Sequence, residues 1–388
     1  MLNVKCLTKV DELTAISGQW DQLLAQSLNN SYSLSWAWLS RWLSVYLPYG
    51  RLLCLAVFDD DKLVGLAPLW VHRQRQLGLG HLKILRFIGS EEVCPDHLDL
   101  IVSRKNSDAI CTAIWEHLHG PLRREWDIWE YNYVPSDSQV LHSLNKLSER
   151  DDRCLAMTIS GYTVCPYSNL SETWEAHLVS LSSNSRGSLK ASAGLLTEAG
   201  KLELSVCTTA ESISSFMGTL IDLHRKSWQE RGRSGSFSTE KFRQFHRELA
   251  EDLLASGNLL LCNLELDGTP VGSFYGFEHN KVMHGYLLGT DRSAVPRASI
   301  GRVLLARCLE VAISRGCREF DWLRGYEDYK YHWTDRERRE LLVTFHNRTF
   351  GALVHILEQF VVRYSKQVGK VVLGSKTQTV KRWLGRGI

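Results

Sequence analysis

Apolar residues recur at two spacings along the 388-residue chain, and each spacing predicts a different kind of element. A recurrence every three or four positions predicts a helix, and a short apolar run between turn residues predicts a strand. In the first half, these patterns predict helices within residues 10–46 and over 107–119, and strands over 52–58, 63–71, 82–89, 98–102 and 126–131. In the second half, they predict helices over 171–199, 211–231, 239–256 and 300–315, and strands over 259–266, 270–277, 282–289 and 319–323.

The two halves present these elements in a similar order. In each half, an acidic turn joins two apolar strands, and a later helix leads into an aromatic strand at Trp126–Trp129 or Phe320–Leu323. The chain is too long for one ordinary core and fits two domains of about 150–200 residues. We therefore predict a mixed α/β fold with two similar domains, residues 1–165 and 166–349, joined near residues 161–171. A helical basic tail would follow over 350–388.

Tryptophans gather in the first helical region, at Trp20, Trp36, Trp38 and Trp42. They could line a pocket, but aromatic residues at helical spacing more often belong to a core. We predict core packing for this cluster.

Charge is spread unevenly along the chain. The whole chain carries +3, residues 350–388 carry seven Lys/Arg and one acid, and residues 1–349 therefore sum to −3. We find no secretory signal and no apolar run near the ~18 residues of a membrane span, so we expect a cytoplasmic protein. The ten cysteines form no CxxC pair and no metal-type spacing, which predicts reduced thiols and no metal.

The stretch 281–330 carries the strongest candidate chemistry. A predicted strand, a turn-rich segment over 290–299, a helix from 300 and a second strand together form a βαβ unit. Its loop presents backbone N–H groups at a helix N-terminus, where the partial positive charge can bind an anion such as a phosphate.

Short motifs in this chain resemble those of CelD/BcsL-type proteins of the GNAT acyltransferase superfamily. The most specific is Phe320-Asp321-Trp322-Leu323-Arg324-Gly325-Tyr326-Glu327-Asp328-Tyr329-Lys330; others include Trp36-Ala37-Trp38-Leu39, Asp96-His97-Leu98-Asp99 and Leu223-His224-Arg225-Lys226-Ser227-Trp228. The resemblance covers roughly residues 30–335. It implies tandem GNAT folds with an acyl-CoA donor in the C-terminal one. The same double arrangement is similar to the Fem aminoacyltransferases, which use aminoacyl-tRNA.

The resemblance also implies a site for the donor. The superfamily loop Q/R-x-x-G-x-G/A aligns with Pro296–Gly301, where only the last glycine is present. We expect the backbone N–H groups of Ser299, Ile300, Gly301 and Arg302 to hold the CoA phosphates, aided by the side chains of Arg297 and Arg302. Backbone amides near Leu288 and Gly289 would stabilise the oxyanion. The alternative is a helix that begins there with two solvated arginines.

Acyl transfer to an amine or hydroxyl also needs a base for the acceptor's proton. The candidates for acid–base work are Asp321, Glu327, Tyr329 and His224, with Arg324 and Lys330 in the same charged cluster. Asp321 alternates with apolar neighbours and should point away from their face. The alternatives are that Arg324, Glu327 and Lys330 form a salt-bridge network that fastens the loop, and that His224 is a core residue.

The expected function is transfer of an acyl (acetyl) group from acetyl-CoA or another acyl-CoA to an amine or hydroxyl. The acceptor would be a small molecule or glycan, such as a sugar, a polysaccharide precursor or another envelope component. A Fem-like aminoacyltransferase and a non-catalytic GNAT-fold binding module remain alternatives, and a nucleic-acid partner is not expected. The apolar stripe Leu353, Ile356, Leu357 and Phe360 predicts a helix before a basic extension, which either contacts an anionic membrane peripherally or stays solvated.

Overall fold

The structure is a computed structural model, and it describes residues 2–47, 50–76, 80–230, 232 and 235–361. The first half contains the following elements: β1 (Leu2–Leu7), α1 (Val10–Ala15), α2 (Ser17–Gln26), α3 (Trp36–Tyr46), β2 (Arg51–Leu52), β3 (Cys54–Asp59), β4 (Lys62–Ala67), β5 (Leu69–Gln76), β6 (Gly80–Phe87), β7 (Ile101–Val102), α4 (Ser107–His119), β8 (Ile128–Pro135), α5 (Gln139–Arg150) and β9 (Cys154–Asn169).

The second half contains these elements: α6 (Trp174–Ser180), α7 (Ser183–Ala199), β10 (Leu202–Val206), α8 (Ala210–Gln229), α9 (Glu240–Ala255), β11 (Leu259–Leu266), β12 (Thr269–His279), β13 (Val282–Thr290), α10 (Ile300–Ser314), β14 (Glu319–Asp321) and β15 (Glu337–Asn347). A helical segment follows over residues 350–361, and the rest of the predicted tail, 362–388, lies outside the described residues.

One large mixed sheet joins the two halves. Its eleven strands run in the order β10-β11-β12-β13-β14-β9-β15-β8-β6-β5-β2, and a second sheet has the order β1-β3-β4-β7. Strand pairs are antiparallel except β13 with β14 and β6 with β8. The predicted mixed α/β class is confirmed.

Two long strands tie the halves together. β9 pairs with β14 through Tyr167–Asn169 and with β15 along the rest of its length. β15, near the C-terminal end of the described chain, lies between β9 and β8 of the first half. The domain boundary predicted between residues 165 and 166 therefore falls inside β9, and the predicted joint over 161–171 is largely strand.

Local chemistry explains where two predicted elements divide. The predicted strand 63–71 is two strands in different sheets, because Pro68 stands between them without an N–H to donate. The predicted helix 171–199 breaks at Leu181, and Ser182 then caps α7 by accepting a hydrogen bond from the N–H of Ser185.

Two large hydrophobic cores lie on the sheet among the described residues, and a third, small cluster contains Leu82, Ile84, Ile128 and Ala352. The larger core contains residues of both halves, with Trp38 of α3 packed against Phe245 of α9 and against Phe277 of β12. Trp20, Trp38 and Trp42 are fully buried, so the predicted core role of this cluster is confirmed. The smaller core lies between the C-terminal strands and α10, around Met283, Leu304 and Phe320. All ten cysteines are free thiols.

Candidate active site

A loop of the first half reaches the end of β14 in the second half. The Tyr286 hydroxyl donates to the carbonyl of Val93, and Arg324 Nη2 donates to the carbonyl of Pro95 at 2.7 Å. His97, at the end of this loop, has a left-handed φ of 58°, which is uncommon for a residue with a Cβ. This loop delivers Asp96 and His97 to the charged cluster predicted around Asp321.

His97 lies between two buried carboxylates. Its Nε2 is 2.8 Å from Asp321 Oδ2, and its Nδ1 is 2.7 Å from Glu340 Oε1. Burial alone would lower the pKa of His97, but Glu340 and Asp321 outweigh it and raise that pKa well above its usual value. Burial would raise the pKa of Asp321, yet His97 keeps it well below the usual range. At neutral pH, an imidazolium therefore bridges two carboxylates.

Two arginines complete the charged network. Arg324 Nε lies 2.7 Å from Asp96 Oδ1, and its guanidinium stacks over the Tyr133 ring at 3.7 Å. Arg338 makes a two-bond pair with Glu319 and lies 3.6 Å from Asp321 Oδ2. Burial raises the pKa of Asp96 to about 6, although Arg324 opposes that rise.

One part of the network has metal-type spacing. Cys165 Sγ, a His97 nitrogen and a Glu340 oxygen lie within 4.8 Å of one another, among the residues that the structure describes. Both nitrogens of His97 are already engaged by carboxylates, so a metal ion would have to displace one of those bonds. The donor set fits a salt-bridged network better than it fits a resident ion.

A polar cavity of about 370 Å³ opens beside this network. His97, Asp321, Arg338 and Glu319 form part of its wall, together with the amides of Asn29, Asn30 and Gln139. Its charged side chains also include Asp99, Asp137 and Arg104. Acidic and basic groups are nearly balanced, and the lining is rich in hydrogen-bonding groups.

His284 lines this cavity with a side chain that lacks a hydrogen-bond partner among the described residues. It is buried on β13, and neither ring nitrogen has a hydrogen-bond partner among the described residues. Its ring packs against Tyr32 and Phe277, with centroid distances of 4.6 and 5.6 Å. Burial lowers its pKa to about 3, so the ring is neutral at physiological pH. A buried polar group without a partner costs about 1–3 kcal/mol, which a bound ligand could recover.

Strands β13 and β14 separate immediately beyond His284. They pair in parallel at Val282–Glu319, Met283–Phe320 and His284–Asp321, and β14 ends there. The chain turns away through Leu323, whose φ is 55° and whose N–H donates to Asp321 Oδ1 at 2.8 Å. On the other edge of β13, the pairing with β12 shifts between Tyr275 and Gly276, so Tyr286 forms a β-bulge. The gap between β13 and β14 thus has its vertex at His284 and Asp321.

The predicted donor residues surround the start of α10. Arg297 and Ser299 are exposed, Gly301 and Arg302 are partly exposed, and Ile300 is buried. No described side chain caps the helix at Ser299, whose own N–H donates to Ser192 Oγ at 3.2 Å. A Cβ at Gly301 would have only Thr290 Cγ2 nearby, at 3.6 Å. An uncapped N-terminus beside two arginines fits phosphate groups.

Leu288, Gly289 and His224 occupy packing positions. A Cβ at Gly289 would lie 2.3 Å from the backbone nitrogen of His224, so this glycine lets α8 touch β13. His224 is buried with its ring against Trp228 and Phe237. Leu288 is partly buried against the smaller core. The backbone at the Tyr286 bulge lies closer along β13 to the vertex of the gap at His284 than Leu288 and Gly289 do.

Beyond Arg324, the charged cluster folds onto itself. Lys330 is buried, and its Nζ donates to the carbonyls of Leu323 and Arg324 and pairs with Glu327 at 2.9 Å. Glu327 and Tyr329 are exposed. These contacts favour the fastening role for Lys330 and Glu327, whereas Asp321 alone of the predicted acid–base residues lines the cavity.

Sequence reasoning gave no chemical role to His97, His284, Glu340, Glu319 or Arg338. The motif Asp96-His97-Leu98-Asp99 carried a signal for His97, since it belonged to the family resemblance. Glu340 carried no such signal, because 243 residues separate it from His97 and no local pattern connects the two.

Residues 183–331 match the family model for an acetyltransferase (GNAT) domain. This stretch of the second half is therefore a GNAT-type domain. The match covers α7 to the turn after β14, and therefore includes β13, the start of α10 and Asp321. No curated protein sequence matches the chain.

Solved structures show the same fold over most of the chain. FemX superposes with a TM-score of 0.63 at 10% identity, over 88% of this chain and 98% of that one. A conserved protein from Bacteroides thetaiotaomicron gives a TM-score of 0.54 at 12% identity, over 89% of this chain and 100% of that one. A tandem GNAT protein from the clavulanic acid biosynthesis pathway gives 0.50 at 13% identity, over 89% and 98%. The predicted tandem GNAT-like fold is confirmed.

Proposed function

We propose that this chain transfers an acyl group from acyl-CoA to an amine or hydroxyl acceptor. One arrangement carries the proposal: the gap between β13 and β14 has the uncapped start of α10 near its open end and the polar cavity at its vertex. Gly301 of α10 lies beside Thr290, the last residue of β13, and His284 and Asp321 mark the vertex. Donor and acceptor sites would thus meet at one point.

The donor would lie along β13. Its phosphates would bind the N–H groups at the start of α10 and the side chains of Arg297 and Arg302. From Thr290 to His284, the strand spans about 20 Å at the usual rise per residue, which suits an extended pantetheine arm. The thioester carbonyl would then lie beside the Tyr286 bulge, whose unpaired backbone could donate to the oxyanion.

The acceptor would enter from the cavity. Its nearly balanced charges and its amide groups suit a small, neutral, polyhydroxylated molecule such as a sugar better than a strongly charged one. The acceptor's nitrogen or oxygen attacks the thioester carbon, the C–S bond breaks, and the CoA thiolate leaves and takes up a proton. A ring nitrogen of His284 receives the acceptor's proton, and the adjacent Asp321 carboxylate offsets the charge that forms.

Acetyl-CoA binding to the full chain, measured by calorimetry, tests the donor site. We expect Gly301→Val to abolish binding while leaving the thermal midpoint nearly unchanged, because the branched side chain crowds the N–H groups around Thr290. Gly218→Val is the matched control, since Gly218 lies within α8 with nothing near its missing Cβ. It should bind acetyl-CoA normally.

A second candidate function is Fem-like aminoacyl transfer from a tRNA-borne donor. The extent of the fold similarity to FemX favours it. Absence of acetyl-CoA binding by the wild-type chain would exclude the first proposal and favour this one or a binding module. If Gly301→Val binds acetyl-CoA as tightly as the wild-type chain does, the start of α10 is not the phosphate site.

A further inference from the structure

An apolar stripe faces outward on the helical segment over 350–361. It consists of Phe350, Leu353, Leu357, Phe360 and Val361, whose exposed fractions are 69%, 48%, 64%, 68% and 64%. Their spacing of three, four, three and one places them on one side of the helix. A surface helix normally turns such a stripe toward the core, and here the orientation is reversed.

The opposite side of the helix fixes this orientation. Ala352 is buried against Leu82, Ile84 and Ile128, and Val354, at the border of the stripe, is also buried. Small residues thus dock the helix while its large apolar residues point away from the body.

Polar contacts fasten the start of the helix as well. The Thr349 hydroxyl donates to Asp127 Oδ1 at 2.7 Å, and Gln76 Nε2 donates to the carbonyl of Gly351 at 3.1 Å. A Cβ at Gly351 would lie 2.8 Å from Asp127 Cγ, so the glycine permits this close approach. The helix cannot simply rotate to bury the stripe without breaking these contacts.

The sequence that continues from the stripe is strongly basic. After Val361 come Arg363, Lys366, Lys370, Lys376, Lys381, Arg382 and Arg386, with no acidic residue. An exposed apolar patch marks an interaction surface, and the charge that follows selects its partner. A stripe of large apolar side chains next to a run of cations matches a surface that is apolar inside and anionic outside.

We propose that the stripe rests on an anionic lipid surface, because the sequence that continues from it is basic. Apolar side chains enter the boundary between headgroups and acyl chains, and basic residues add attraction to the anionic headgroups. No helix among the described residues is long and apolar enough to cross a bilayer. The contact is therefore peripheral, and it does not depend on the proposed acyltransferase activity.

Co-sedimentation of the full chain with vesicles tests this surface. We expect binding at low salt to vesicles of phosphatidylglycerol and phosphatidylcholine in equal parts, and weaker binding to phosphatidylcholine alone. Phe360→Glu should lower the partition coefficient by about tenfold or more, because it removes a large inserted side chain and adds a negative charge. Gln359→Glu is the matched control, since it adds the same charge one position away and off the stripe, and it should bind nearly as well as wild type.

A chain ending at Ser365 separates the two contributions. It keeps the stripe but loses six of the seven cations, so its binding should weaken and become less sensitive to salt. Three results would overturn the proposal: no sedimentation of the wild-type chain, equal sedimentation of Phe360→Glu and wild type, or equal binding to both kinds of vesicle. A dimer by light scattering that Phe360→Glu dissociates, with no vesicle binding, would assign the stripe to a second copy of this chain.

Discussion

Two cavity histidines show how neighbours decide the state of one residue type. His97 is flanked by Asp321 and Glu340, so its pKa is raised and it carries a charge. His284 is surrounded by aromatic rings and has no hydrogen-bond partner among the described residues, so burial lowers its pKa to about 3. Groups whose environments push their pKa values apart are natural candidates for separate roles. His97 holds the site together, and neutral His284 has one ring nitrogen that can accept a proton.

The role of His284 predicts a kinetic effect. His284→Gln should lower kcat for acyl transfer by about 10²-fold or more, the range for a general base, while acetyl-CoA affinity stays near wild type. The measurement is CoA release from acetyl-CoA with amino sugars as acceptors, together with calorimetry of the donor.

His279→Gln is the control for that experiment. His279 also lines the cavity, but its Nε2 is already 2.7 Å from Asn30 Oδ1. We expect a change in acceptor KM with little change in kcat. Unchanged kcat in His284→Gln, with normal donor binding, would remove His284 from the reaction without touching the donor site.

At the scale of elements, several helices and one hairpin were predicted closely, but α5 was missed although its apolar residues recur at helical spacing. The helices α8, α9 and α10 and the hairpin of β11 and β12 were predicted within a few residues, since each has a periodic pattern with turn residues at its ends. β9 was missed because Gly161 and Pro166 lie within it, and β15 because it opens on Glu337-Arg338-Arg339-Glu340. The site depends on both missed strands, so its geometry could not be read from local pattern.

Two glycines of the predicted donor site should respond oppositely to a methyl group. Gly289→Ala should destabilise the protein by about 1–3 kcal/mol, because the new Cβ meets the backbone of α8 at 2.3 Å and neither backbone can move alone. Gly301→Ala should be neutral or stabilising by up to about 1 kcal/mol, because its Cβ has room and alanine favours the helix. Urea unfolding of both variants checks this, and equal stability would mean that α8 does not press on β13 as described.

On the scale of the whole molecule, the two halves form one continuous structure through the site. β15 inserts beside β8 and β9, the larger core mixes residues of both halves, and the loop ending at His97 joins β14 and β15. A tandem arrangement could be predicted from the repeated order of elements. The interlocking of the repeats could not, since the ion pairs that cross between them join residues more than 220 positions apart.

The charge on His97 links this junction to pH. Its pKa in the folded chain lies above its usual value, so its stabilising effect is complete below about pH 6.5 and is lost as pH rises through the folded pKa. In that window, the free energy of unfolding should fall by up to about 1.4 kcal/mol per pH unit.

His97→Gln loses hydrogen bonds at every pH, which shifts its stability by a nearly constant amount, but it has no proton to lose. Urea unfolding at several pH values between 6 and 9 gives the free energy of unfolding of both proteins. The difference in this free energy between wild type and His97→Gln should therefore be largest at the acid end and shrink steadily as pH rises. Asp99, whose pKa burial raises to about 6, titrates in both proteins and largely cancels in that difference. The charge on His97 lowers the pKa of Asp96, so Asp96 contributes to the difference near pH 6, and the comparison is clearest above pH 7. A difference that stays constant with pH would show that the bridge between Asp321 and Glu340 is held by a neutral imidazole, and that the two halves are joined here by hydrogen bonds without the charge.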